Sequence, residues 1–432
     1  RNVSVRLNVD VGHRNFPCGK QETAHFLEHL LFTGTRKYTE IELDDFIESH
    51  GGTWNAGTGD EHTIYELDIF SKYLNDGLEM LHHIITDSTL TEENVTRSRK
   101  IIFRESGGKP SDLRNILYKN EVIANAVNRA VNRIFPGEDF VCRDLDNASS
   151  ISRDEILEAY RTFYVPGRMT LVLVGDFDIR EVRKLISNTF GQLKKQPDAV
   201  VPSRPIPDEA KMGGEKYYGT LDPVLDTQAD VYILYRTAGA YSDDSYALNV
   251  LKNYLNVALY NELRVKKGVA YAPGAGSITY DDYGLFFVSS DSEIDDTEAT
   301  LLLLQDVVAS LGRGELDEEM LAKTKKKLLL AIARGYETNA GFASFYAGGI
   351  EEIKRFGALQ NYANKVDAVN AADIKRVIKK YFHPDTQVIA ISKPTLTYTQ
   401  LYSLLSFVAF VIFIFVFRFL RRRRRKRQER SV

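Results

Sequence analysis

Two histidines four residues apart, His25 and His29, with Glu28 just before the second, constrain this chain more than any other feature it carries. Residues four apart on a helix stand on one face, so both imidazoles project from a single turn in the same direction. Two such nitrogens are most of what a reactive zinc site needs, because it takes three protein ligands and keeps one position open. Glu28 sits too close along the turn to complete that set, yet it can reach a water beside the metal as a general base. The plainer alternative is a helix with two surface histidines and a solvated glutamate. A His-x-x-Glu-His string arises by chance in roughly one chain in a hundred of this composition, so the setting decides.

The setting is structured. Val3, Val5, Leu7, Val9 and Val11 alternate with other residues, which predicts a half-buried strand. A glycine-bearing loop from Gly12 to Gly19 leads into a helix predicted from about Thr23 through Phe32. Leu27, Leu30 and Leu31 give that helix an apolar stripe that must pack against something. A second helix is predicted from Thr91-Glu92-Glu93-Asn94, a helix-start signal, to Ser106, where Gly107-Gly108 stops it. Ile101, Ile102 and Glu105 lie at helical spacing, so the carboxylate shares the direction of the apolar face. Taken alone, Glu105 reads as an ordinary solvated glutamate near a helix end.

The stretch Thr23-Ala24-His25-Phe26-Leu27-Glu28-His29-Leu30-Leu31-Phe32 resembles the metal helix of the pitrilysin/insulinase family of inverted-motif zinc metallopeptidases. Gly51-Gly52-Thr53-Trp54-Asn55-Ala56-Gly57-Thr58, continuing Glu61-His62-Thr63-Ile64-Tyr65, resembles the family's substrate-binding edge strand. Glu262-Leu263-Arg264-Val265-Lys266-Lys267-Gly268-Val269-Ala270-Tyr271 resembles a motif of its second half. The resemblance covers residues 1–395. It implies zinc bound by His25, His29 and Glu105, the last 76 residues beyond His29. It also implies Glu28 as general base, and Asn55, Ala56, Arg264 and Tyr271 as substrate-binding residues. The implied substrates are unstructured peptides or protein segments, and the implied assembly is a homodimer, with a heterodimer as the alternative. One position departs from the pattern: active relatives usually carry a glutamate seven residues before the third ligand, where this chain has Ser98.

At 432 residues the chain is long enough for two domains. An internal repeat supports that division. Tyr160 to Pro166 precedes a predicted strand Met169 to Val174, and Lys379 to Pro384 precedes a strand Gln387 to Ile391, with the two prolines 218 residues apart. The proline-bearing stretch Gln196 to Gly214 reads as a linker. The expected organisation is a zinc-binding domain over 1–195, a linker over 196–214 and a second domain over 215–395. The fold class is α+β, with two similar sheets that the resemblance implies carry helices on one face. The two cysteines, Cys18 and Cys142, are too few for a disulfide framework. They read as packing residues, with a single bridge as the alternative.

Leu401 to Phe417 is 17 residues without a charge, and Arg418, Arg421 to Arg425, Lys426 and Arg427 follow. This predicts a membrane-spanning helix over 401–420 with a basic cytoplasmic tail over 421–432, since arginines gather on the cytoplasmic side of a span. The folded domains are then extracytoplasmic, periplasmic in a bacterium. A buried core helix is the weaker reading, because the run is apolar on every face. Binding of nucleic acid by the arginine run is weaker still, and no nucleic-acid partner is expected. Residues 418–432 carry nine basic and one acidic residue, so the rest of a chain of net charge −3 stands at −11. The chain begins at Arg1 inside its first predicted strand, which makes a truncated N-terminus the expectation and leaves a signal peptide open. A membrane-bound scaffold of the same fold without catalysis is the competing function.

Overall fold

The computed structural model describes residues 1–123, 125–136, 140–194, 214–218 and 223–428, with side chains through Arg423. All of the expected linker except Gly214 lies outside the described residues. The first sheet holds Asn2–Val9 (β1), Thr53–Thr58 (β2), Thr63–Phe70 (β3) and Met169–Gly175 (β4), in the order β2-β3-β1-β4 and antiparallel throughout. The second holds Glu215–Tyr218 (β5), Gln228–Ala238 (β6), Gly274–Thr279 (β7), Tyr283–Glu293 (β8) and Val388–Ser392 (β9), in the order β5-β9-β6-β8-β7. With β5 set aside, which pairs with β9 in parallel, the second order repeats the first strand for strand. The architecture is α+β, two similar sheets with helices.

The helices that build the site and join the two halves are Thr23–Leu31 (α1), Glu92–Glu105 (α2), Ala126–Ile134 (α3), Asp244–Leu259 (α4) and Asn339–Gly348 (α5). Val3, Val5, Leu7 and Val9 project from one face of β1 into a core with Phe26, Leu27, Leu30 and Leu31 of α1. In the second half, Val231, Ile233 and Tyr235 of β6 pack in the same way against Leu251 and Leu255 of α4.

The expectation of helices on one face only is corrected, because the other face of each sheet is covered by a helix from the opposite half. α5 lies on β1 and β4, while α3 lies on β6 and β9. Strand β1, expected to be half-buried, is therefore buried from Val3 to Val9, with Ser4, Arg6 and Asn8 under α5. Polar groups tolerate such burial when paired. Arg6 lies 3.0 Å from Glu66, donates to Asp68 at 3.3 Å and to Ser344 Oγ of α5 at 3.2 Å. Under α3 the contacts are apolar: Ala126, Ala130, Val131 and Ile134 meet Leu234, Leu285, Val388 and Ala390. The halves thus clasp each other by exchanging helices.

A further correction concerns the cysteines. Cys18 and Cys142 form a disulfide, with Cα atoms 5.2 Å apart, and are not separate packing residues. It ties the loop before α1 to the segment after α3. The last helix is longer than the apolar run, Tyr398–Gln428; its stretch Tyr398–Arg423 is long and apolar enough to cross a membrane and none of it is buried.

Candidate metal centre

The loop into α1 is held by backbone contacts. His13 N–H donates to Gly59 O at 3.0 Å and Arg14 N–H to Asp60 O at 2.9 Å, pinning the loop to the β2–β3 turn. Gly12 makes this approach possible, since any Cβ there would collide with the Gly59 carbonyl. α1 then buries Ala24, Phe26, Leu27, Leu30 and Leu31, leaving His25, Glu28 and His29 on its partly exposed side. Thr91 caps α2 by accepting from Asn94 N–H at 3.2 Å. α2 packs its buried face of Val95, Ser98 and Ile102 against α1, and its last residue is Glu105. Two turns separate Ser98 from Glu105, so both lie on that face.

Three atoms converge. His25 Nε2 and His29 Nε2 are 3.1 Å apart, and Glu105 Oε2 lies 3.3 Å from the first and 3.5 Å from the second. Ligands on a tetrahedral zinc at bonds of about 2.0–2.1 Å stand about 3.3–3.4 Å from one another. The triangle has the size of one face of such a tetrahedron, and its donor set of two imidazoles and a carboxylate suits zinc. Glu28 offers an oxygen within 4.8 Å of both histidine ligand atoms. Its Oε2 accepts a hydrogen bond from Thr58 Oγ1 at 2.6 Å. On the far side of the ring, His25 Nδ1 lies 2.7 Å from Glu22 Oε2, and Asn147 Nδ2 donates to Glu22 Oε1 at 3.3 Å. Burial works against a proton on His25, but the carboxylates of Glu22, Glu28 and Glu105 outweigh it and raise its pKa.

Sequence reasoning missed Glu22, Thr58 and Asn147. The signal for Glu22 was present, since it stands three residues before His25 and so within reach on one helical turn. Thr58 was read only as part of the edge strand, and its contact with Glu28, like that of Asn147 with Glu22, joins distant segments and left no local mark.

β2 is an edge strand, with Thr53, Asn55 and Gly57 exposed and Trp54, Ala56 and Thr58 turned toward the helices. Asn55 and Ala56, both expected to contact substrate, therefore face opposite ways. Phe32 and Trp54 stack edge to face at 4.8 Å, and Trp54 Nε1 donates to Asp44 at 3.0 Å, which fixes the strand beside α1. Arg264 and Tyr271 come together in the second half. The guanidinium lies 4.4 Å from the phenol ring and donates to Tyr271 O at 2.8 Å. Asp291 accepts from the backbone N–H groups of Tyr271 and Ala272, and the Tyr271 side chain is left exposed. Among the described residues, neither Arg264 nor Tyr271 makes a hydrogen bond, ion pair or ring contact to His25, Glu28, His29 or Glu105.

The family model for insulinase (peptidase family M16) matches residues 1–134, and that for the peptidase M16 inactive domain matches residues 150–328. An uncharacterized zinc protease of Rickettsia felis is 25% identical over 346 residues, 77% of this chain and 78% of that protein. The mitochondrial-processing peptidase subunit beta of Mus musculus is 25% identical over 409 residues, 90% of this chain and 80% of that protein. In fold, a protease from Helicobacter pylori superposes with a TM-score of 0.77 at 21% identity, covering 91% of this chain and 94% of its own. A peptidase M16 inactive domain from Pseudomonas fluorescens superposes with a TM-score of 0.75 at 16% identity, covering 92% and 94%. The two family models follow one another along the chain, the first over the segment that carries the His25–Glu28–His29 cluster and the second from the end of the first half into the second: the chain belongs to the insulinase family, peptidase family M16.

Proposed function

We propose that the chain is a membrane-anchored zinc metalloendopeptidase that hydrolyses unstructured peptides or protein segments. The observation that carries this reading is the triangle of His25, His29 and Glu105, whose sides of 3.1, 3.3 and 3.5 Å match one face of a zinc tetrahedron. Zinc held there supplies Lewis acidity, polarising a carbonyl and acidifying a water. Glu28 takes the proton of the attacking water and returns it to the leaving amine. Thr58 holds one oxygen of Glu28 and leaves the other for that water. The free edge of β2 supports substrate bound as an added strand, because main-chain hydrogen bonds accept many sequences in extended form. The family description "inactive domain" matches residues 150–328, a stretch without a histidine that includes none of His25, Glu28, His29 and Glu105.

Zinc analysis of the purified chain tests the reading. One zinc per chain, with peptide cleavage lost on chelation and restored by zinc, is expected. A zinc-free chain, or cleavage indifferent to chelator, overturns it in favour of a scaffold.

Anchoring and assembly belong to the same proposal. The apolar helix Tyr398–Arg423 with its following arginines supports a single span with the tail in the cytoplasm. The Cys18–Cys142 bridge supports folded domains in an oxidising compartment outside it. Protease added outside spheroplasts should digest the domains and spare the tail; protected domains would reverse the topology. Among the described residues, Arg264 and Tyr271 make no hydrogen bond, ion pair or ring contact with His25, Glu28, His29 or Glu105 of their own chain, which fits a homodimer in which each copy presents them to its partner's site. Mixing Glu28→Gln and Arg264→Ala chains then restores activity, because each mixed dimer keeps one intact site. No recovery after confirmed subunit exchange would eliminate the shared site.

A further inference from the structure

Neutral imidazole carries one N–H, and only its other nitrogen can bind a metal. Which nitrogen faces the zinc site is therefore set by what the opposite nitrogen meets. Glu22 Oε2 stands 2.7 Å from His25 Nδ1, and an ionised carboxylate can only accept, so the proton sits on Nδ1 and the lone pair of Nε2 is aimed at the triangle. Glu22 occupies the N-cap position of α1 and makes no cap hydrogen bond there, so its carboxylate is not committed to the helix backbone. It is turned instead to the ring. Its second oxygen accepts from Asn147, on the segment that the Cys18–Cys142 bridge ties to the same loop. Its side chain is 16% exposed, so water competes little for the carboxylate. Among the described residues, no carboxylate stands against His29 Nδ1 in this way.

We propose that Glu22 is a positioning residue for the zinc site. It fixes the tautomer and ring orientation of His25, and is itself aimed by Asn147. The inference rests on the zinc reading above. Partners of this kind typically account for about 10–100-fold in metal affinity.

The test uses the purified full-length chain and measures zinc affinity by competition with a chromophoric chelator. Glu22→Ala should weaken zinc binding about 10–100-fold. Glu22→Gln keeps an acceptor of nearly the same shape, so it should fall between Glu22→Ala and the unaltered chain. Asn147→Ala should weaken binding less than Glu22→Ala. A second readout is the ¹⁵N spectrum of the histidines after chelation, at a pH where imidazole is neutral. His25 should carry its proton on Nδ1 in the unaltered chain and shift toward Nε2 in Glu22→Ala. A merely structural role would lower the melting temperature of the zinc-free variants and leave that tautomer unchanged. Equal zinc affinity in the unaltered chain and both Glu22 variants would overturn this inference alone. Absence of zinc from the unaltered chain would overturn the zinc site and this inference together.

Discussion

Replacing Cys18 and Cys142 by serine removes a cross-link between positions separated by 124 residues. In the chain-entropy treatment, closing a loop of that size restricts the unfolded chain by about 5 kcal/mol at 25 °C, an upper figure because unfolded chains keep some structure. Unfolding entropy grows with chain length, so each kcal/mol is worth roughly 1–2 °C for a folded part of this size. The double serine variant should therefore melt roughly 5–10 °C lower in the presence of zinc. The same bridge joins the loop before α1 to the segment carrying Asn147, so zinc affinity should fall as well. The assay is thermal denaturation beside chelator competition, with thiol titration of the unreduced, denatured chain. Two free thiols, or a variant matching the unaltered chain in both melting and zinc affinity, would refute the reasoning.

Single contacts make further predictions. Asp244 accepts from Lys380 at 2.7 Å, from Tyr381 at 2.6 Å and from Arg376; burial alone would raise its pKa, but these partners lower it from 3.8 to about 2. A pKa depressed on folding adds stability above the unfolded value and loses it as pH falls from about 4 to about 2. Asp244→Asn should thus cost about 2 kcal/mol in denaturant unfolding at pH 7, with a smaller deficit below pH 3; a deficit independent of pH would contradict this. Thr58→Val removes the hydrogen bond that holds Glu28, so kcat should drop roughly 10-fold or more with zinc content unchanged. Unchanged kcat would show that Thr58 does not orient the base. Deleting residues 398–432 should move the chain from the membrane to the soluble fraction with peptide cleavage kept, and continued sedimentation with membranes would remove the anchor.

What the sequence made legible were features written at short spacing. The histidine pair, Glu28 and the apolar stripe of α1 lie within one helical segment, and the alternating valines of β1 lie within one strand. The capped helix ending at Glu105 was also readable, but its approach to His29 across 76 positions came only through family resemblance. The exchanged helices were not readable. The apolar face of Ala126–Ile134 announces that it must be covered, yet nothing in its pattern names a sheet built from residues a hundred positions later. The polar alternation of Ser4, Arg6 and Asn8 looked like a wet face, because a strand's period does not distinguish water from a partnered polar interior. Pairing of Cys18 with Cys142 depends on a 5.2 Å Cα separation that only the folded chain supplies.

The most direct test of the zinc mechanism replaces Glu28 by glutamine, which keeps the shape of the side chain and removes its basicity. Zinc content and cleavage of an unstructured peptide are measured on the same preparation. The expected result is one zinc per chain, as in the unaltered protein, and kcat lower by at least about 10²–10⁴-fold. Cleavage at the unaltered rate by the Glu28→Gln chain would contradict the mechanism.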